Sequence, residues 1–239
     1  MADIAEVKAL VFDVFGTVVD WRTSVIRELE TFGTVKGITA DWTAFADDWR
    51  ARYQPAMEEV RSGRRPWTIL DVLHRESLES LLTKYGITGL SEAEKDHVNK
   101  AWHRLSPWPD TLPGLRRLKT RYLIGTLSNG NVGLLAWMAK YASLPWDVIL
   151  GAEVARAYKP LPEAYLRTAA ILGLEPRQVM LVAAHNDDLA AAAAQGLATA
   201  FVARPTEYGP HQTKDFRADR DWDVVADSFT GLADALQCT

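Results

Sequence analysis

Four short, almost unbroken apolar runs punctuate the chain, at 7–12, 122–127, 179–184 and 199–203, with a weaker one at 148–150. Stretches of helical periodicity separate them. Short β-rich runs alternating with helices are the signature of a parallel α/β sheet, and continuous hydrophobicity suits strands covered on both faces. Each of the three strongest runs ends in small or polar residues: Asp13, then Ser128-Asn129-Gly130, then His185-Asn186-Asp187-Asp188. In an open parallel sheet, ligands bind beyond the carboxyl ends of the strands. The three clusters are therefore expected to converge on one site.

Between 20 and 106 the pattern changes to helices without an obvious strand, with Trp, Leu and Phe at helical intervals over 39–60, 67–85 and 91–104. Ser106-Pro107-Trp108-Pro109-Asp110 closes this stretch, because two prolines disfavour continued helix. The expectation is a Rossmann-like parallel-sheet core of 1–19 and 107–239, with 20–106 as an inserted helical cap domain. A module inserted after the first strand would sit over that strand's carboxyl end and exclude water. The alanine-rich run at 190–194 has high helix propensity and reads as a tightly packed helix.

Composition narrows the options without adding a new one. With 239 residues, 48% hydrophobic and 24% charged, the chain can bury a substantial core as one domain or as core plus cap. A net charge of -4 gives no footprint for nucleic acid or an anionic membrane. Cys238 is the sole cysteine, which excludes an internal disulfide and a Cys-rich zinc site and suits a reducing cytoplasm. No apolar stretch approaches the ~18 residues of a membrane span, and no basic region precedes the first apolar run, so a cytoplasmic location is expected.

The segment VFDVFGTVVD carries Asp13 at a strand end, then Gly16 and Thr17 in a turn. Alone, such an aspartate is more often a helix cap or turn residue. Here, however, Ser128-Asn129-Gly130, Lys159-Pro160 and an acidic cluster ending at Asp188 follow in order. With these four motifs the sequence resembles the haloacid dehalogenase superfamily over nearly the whole chain. Phosphatases of that superfamily carry a second aspartate two positions after the nucleophile, where this chain has Phe15, and hold magnesium partly through an aspartate where it has Ala184. An alkoxide leaving group needs a proton donor and a halide does not; Mg²⁺ needs hard oxygen ligands, and alanine supplies none.

The closer resemblance is to the type II, or (S)/L-2-haloacid, dehalogenases. It implies a hydrolase acting on carbon–halide bonds of short L-2-haloalkanoic acids such as haloacetate and 2-halopropionate, with fluoroacetate a further candidate. It implies no metal and no cofactor; the partners are the haloacid substrate and halide product, and a homodimer is common among such relatives. Asp13 would displace halide from C2 to form an ester, and water would attack the aspartyl carbon, giving a 2-hydroxy acid inverted at C2. The competing readings are a magnesium-dependent phosphatase or phosphonatase of the same superfamily, and a binding protein without activity.

The same resemblance assigns roles. Arg50 stands near the departing halide, where a guanidinium stabilises an anion without losing a proton. Lys159 points its ammonium at Asp13, and Tyr165 lies around the same pair. Thr17 fixes the Asp13 rotamer, Ser128 and Asn129 bind the substrate carboxylate, and Asp188 orients or activates the hydrolytic water. His185 and Ala183 stand where many type II enzymes have Asn and Ser; a neutral His185 would share the base work or donate to halide or substrate. Phe15 and Trp67 are expected on the pocket wall and Asn186, with Asp187, at its rim.

Overall fold

The computed structural model describes residues 3–239. Strand β1 (Ala9–Phe12) leads through a tight turn to β2 (Val19–Asp20), and five helices follow: α1 (Trp21–Lys36), α2 (Trp42–Ala51), α3 (Tyr53–Arg61), α4 (Leu70–Lys84) and α5 (Glu92–Asn99). The chain returns through β3 (Ser106–Pro107) and α6 (Thr111–Leu118) to β4 (Leu123–Thr126), α7 (Val132–Ala142), α8 (Ala152–Ala155), α9 (Pro162–Ile171), β5 (Val179–Ala183), α10 (Asn186–Ala194), β6 (Ala198–Val202), β7 (Val224–Ala226) and α11 (Phe229–Ala235). The parallel sheet has the order β4-β1-β5-β6-β7. Among the described residues no helix is long and apolar enough to cross a membrane.

The pleat explains why the strand runs are unbroken. Leu10, Phe12, Met180, Val182, Ala198 and Ala200 point to one apolar cluster, while Val11, Val179, Leu181, Ala183 and Phe201 point to the other. Each large side chain so buried contributes about 1.5–3 kcal/mol. Register then sets the site: Phe12 lies level with Thr126 on one side and Val182 on the other. The residues just beyond those positions emerge side by side.

Three features depart from the sequence expectation. The run at 148–150 forms no strand; it makes a single bridge from Val148 to Gly125 and is tethered by the Thr126 hydroxyl, which donates to the Leu150 carbonyl at 2.7 Å. β7 had no sequence signal, being three residues long with Val225 exposed at a sheet edge. The helical stretch is bordered by β2 and β3, which pair antiparallel, Val19 with Pro107 and Asp20 with Ser106, bringing its two connections together.

Local chemistry starts the helices. The side chains of Asp20 and Asp41 accept from the backbone N–H groups of Thr23 and Ala44, capping α1 and α2, and Ser91 with Glu94 forms a reciprocal cap on α5. Inside the helical stretch Trp21, Trp49 and Trp102 are fully buried and share the cluster that contains Phe12 and Phe15. The helices are thus packed on the sheet's carboxyl end through a common core.

Candidate active site

Asp13 follows β1 directly and is buried at the floor of a cavity of about 360 Å³. Its Oδ1 accepts from the Lys159 ammonium at 2.8 Å. Its Oδ2 accepts from the Thr17 hydroxyl at 2.7 Å and lies 3.1 Å from His185 Nδ1. The Thr17 hydroxyl in turn accepts from the Ala184 backbone N–H at 2.9 Å, so the turn after β1 is tied to the end of β5. Burial alone would raise the Asp13 carboxyl, but Lys159 and His185 outweigh it and hold the group well below the usual carboxylate range.

Lys159 is fixed at both ends. Its backbone N–H donates to Asn129 Oδ1 at 2.8 Å, its carbonyl accepts from Arg61 Nη1 at 2.8 Å, and its ammonium also reaches Asp188 Oδ2. Burial opposes the charge of Lys159, but Asp13 and Asp188 overcome it and raise its pKa. Asp188 also accepts from the Tyr165 hydroxyl at 2.7 Å. Burial, aided by the neighbouring Asp13 charge, pushes Asp188 above the ordinary value despite Lys159. Two carboxylates sharing one ammonium are thereby driven apart, one firmly ionised and one more basic.

His185 sits between two carboxylates. Its Nε2 lies 2.8 Å from Oε2 of Glu207, which is completely buried and also accepts from Trp21 Nε1 at 3.0 Å. Burial disfavours the charged ring, yet Glu207 and Asp13 together raise His185 well above 6.5. With carboxylates beside both ring nitrogens, the surroundings of His185 favour the doubly protonated ring. The sequence expectation was of a neutral ring. Glu207 fits only because Gly16, at φ +89°, has no side chain; a Cβ there would stand 2.1 Å from Glu207 Oε1.

Arg50 reaches the site from α2. Its guanidinium lies 4.3 Å from the Tyr53 ring centroid and 5.3 Å from that of Trp21, with Nη2 4.0 Å from Glu207 Oε1. The Nη1 atom is buried and without a partner. A buried, permanently charged donor with an unused N–H aimed among aromatic rings is suited to an anion.

The cavity wall includes Asp13, Phe15, Arg50, Asn129, Lys159, Tyr165, His185 and Asp188. Thr17 and Ser128 stand behind it: both are fully buried, and the Ser128 hydroxyl accepts from the Gly130 N–H at 3.1 Å. One expected wall residue and one expected rim residue lie elsewhere. Trp67 packs on Tyr158, ring centroids 4.8 Å apart, because its helical stretch uses it to seal the 158 turn. Asn186 turns away to hold the 215–222 loop, bonding Asp215, the Arg217 carbonyl, the Asp219 N–H and Trp222 Nε1, while its neighbour Asp187 does line the cavity.

Sequence reasoning missed Glu207, Tyr53, Gln54, Arg61, Tyr208 and Lys214, of which all but Glu207 line the cavity. Glu207 and Tyr208 follow the fourth apolar run, so the strand-end rule extended to that run would have pointed there. Tyr53, Gln54 and Arg61 share a face of α3 whose polar residues read in sequence as solvated surface. Among the described residues no group of three or more His, Cys, Asp or Glu side chains is arranged to hold a metal ion.

A doubly wound sheet with a buried, cation-held aspartate at the end of its interior strand β1, under a helical module, defines an α/β enzyme working at the carboxyl edge of its sheet. The chain belongs to the haloacid dehalogenase-like hydrolase family, whose model matches residues 7–196. It is 30% identical over 238 residues to (S)-2-haloacid dehalogenase 4A of Burkholderia cepacia, covering 96% of this chain and 100% of that protein. Among solved structures it is similar to a defluorinating L-2-haloacid dehalogenase, at 52% identity and a TM-score of 0.95 over 97% of this chain and 96% of that one. A second L-2-haloacid dehalogenase is 48% identical with a TM-score of 0.94, covering 97% and 99%.

Proposed function

We propose that this protein hydrolyses short L-2-haloalkanoic acids to 2-hydroxy acids through an ester on Asp13, without a metal ion. The observation that carries the reading is Asp13 itself, buried with its carboxyl held well below the usual range in the same cavity as Arg50, whose Nη1 has no partner. The relatives, L-2-haloacid dehalogenases matching 96–97% of the chain, support the same activity.

Oδ2 of Asp13 is engaged by both Thr17 and His185, whereas Oδ1 has Lys159 alone. Oδ1 is therefore the oxygen with a lone pair free to attack C2. As it bonds to carbon, the halide leaves with the electron pair toward Arg50, whose charge needs no proton transfer to stabilise it. The attack is from the face opposite the halide, so C2 inverts once.

The ester then leaves Oδ2 as its carbonyl oxygen. Thr17 Oγ1 and His185 Nδ1, at 2.7 and 3.1 Å, already point at that oxygen and serve as an oxyanion hole when water attacks the aspartyl carbon. Asp188, with its raised pKa, is the base for that water, and Lys159 and Tyr165 hold it in place. His185 thus acts as a donor, with Glu207 keeping it charged. Asn129 is the polar group on the cavity wall best placed to receive the substrate carboxylate.

Fluoride, the hardest halide to displace, is included among the leaving groups because Arg50 is clamped between two rings and desolvated. The defluorinating relative supports this. The test is halide release from chloroacetate, fluoroacetate and both enantiomers of 2-chloropropionate in excess chelator, with product configuration analysed. Release from the L enantiomer with inversion is expected; release only on restoring Mg²⁺, or none, contradicts the proposal.

A further inference from the structure

We propose that the outer half of the cavity recognises a second carboxylate, so that the enzyme takes L-2-halodicarboxylic acids such as 2-chlorosuccinate as well as short monoacids. This rests on the reading of Asp13 as the dehalogenating nucleophile. The cavity, at about 360 Å³, holds roughly twelve water-sized volumes of about 30 Å³ each. A three-carbon haloacid fills roughly a third of that. The remaining space is bounded by the other lining residues.

Its walls are charged where an alkyl tail would want apolar ones. Gln54 and Arg61 come from α3, Asp187 and Lys214 from the sheet side. Two cations, Arg61 paired with Glu58 and Lys214 near Asp187 and Asp215, thus line the cavity from opposite sides. Arg61 donates to the Lys159 carbonyl at 2.8 Å while the Lys159 ammonium bonds Asp13, so the guanidinium stands one lysine length from the reacting oxygen. Its Nε is held by Glu58 at 2.9 Å and Nη1 also reaches Gln54 Oε1 at 3.1 Å, which fixes the plane of the group beside the cavity.

Lys214 is held more loosely. Its ammonium is 3.3 Å from Asp187 and 3.5 Å from Asp215, both longer than the ~2.7–2.9 Å of a well-made charged hydrogen bond. Its side chain is 64% exposed, so it can swing to an incoming anion. A carboxylate two or three bonds beyond C2 would lie between these cations, whereas a hydrocarbon tail of the same length would strip water from them without return. The chemistry at C2 is unchanged: Asp13 bonds carbon, the halide leaves with its electron pair, water cleaves the ester, and a 2-hydroxydicarboxylate and a proton result.

The test compares kcat/KM for L-2-chloropropionate, L-2-chlorobutanoate and L-2-chlorosuccinate in the wild type, Lys214→Met and Arg61→Met. We expect chlorosuccinate to match or exceed chlorobutanoate in the wild type. Each substitution should lower the chlorosuccinate-to-chlorobutanoate ratio by about tenfold, chiefly through KM. Turnover of chloropropionate with chlorosuccinate rejected, or a ratio that neither substitution moves, overturns this inference and leaves the dehalogenase reading standing. Turnover of none of the three removes both.

Discussion

Asp13 has its charge, its rotamer and its free lone pair set by three different neighbours, and each can be removed separately. Asp13→Asn keeps the size of the side chain and its bond to Thr17 but removes the attacking oxygen; halide release should fall by roughly four orders of magnitude or more with the fold retained. A variant near wild-type rate would take Asp13 out of the reaction. Asp188→Asn should slow ester hydrolysis more than ester formation, so that an Asp13-linked species accumulates and is visible by mass spectrometry. A slowed variant with no such species would count against Asp188 as the base.

His185 offers a direct check on protonation. Its folded pKa is raised well above 6.5, so its contribution to stability is complete below pH 6.5 and lost as pH rises through the folded value. An NMR titration should find the ring doubly protonated at pH 7.5; a neutral ring there would contradict its role as an oxyanion donor. Replacing it with Asn, which keeps one donor but no charge, should cost roughly ten- to a thousandfold in ester hydrolysis. The sequence marked His185 as unusual but not its charge, which depends on Glu207, 22 residues away.

At the scale of elements, the strands were legible because a buried parallel strand must be apolar along its whole length, and their ends were legible because only there does the chain turn polar. Asp13, Lys159 and Asp188 were readable as a set on those grounds together with motif resemblance. The helices hid their functional faces. Tyr53 and Arg61 are spaced like any amphipathic helix, and Trp67 could not be told from a wall residue until its packing on Tyr158 was seen. Val224–Ala226 was too short and too exposed at its middle residue to register.

The helical stretch also carries a pH liability. His74 on α4 is fully buried, stacked on Trp102 at 4.5 Å, with neither ring nitrogen partnered. Burial, reinforced by the charge of Arg50, lowers its pKa from 6.5 to about 3 despite Asp71. In that interval the unfolded chain binds a proton the folded one refuses, so stability should fall as pH drops from 6.5 toward 3, by about 1.4 kcal/mol per pH unit from this group. Denaturant midpoints measured across that range should decline less steeply in His74→Phe; an unchanged slope would show that the ring is protonated in the fold.

For the whole molecule, the division of labour follows from topology. In the proposed mechanism the ends of two adjacent strands, β1 and β5, supply the nucleophile, the base and the oxyanion donors, while the helical stretch supplies Arg50 and Arg61 from above. Next to Asp13, the cations Lys159 and, when protonated, His185, with Arg50 beyond them, face the carboxylates Asp13, Asp188 and Glu207. Pairing of opposite charges lowers the cost of burying them, and in the proposed mechanism it lets Asp13 act as a nucleophile.

The central claim is that water attacks the aspartyl carbon and never the substrate. A single turnover of L-2-chloropropionate in water enriched with oxygen-18, under excess chelator, tests it directly. The account predicts heavy oxygen in the Asp13 carboxylate and none in the first 2-hydroxypropionate released. Heavy oxygen in the product with Asp13 unlabelled would contradict it.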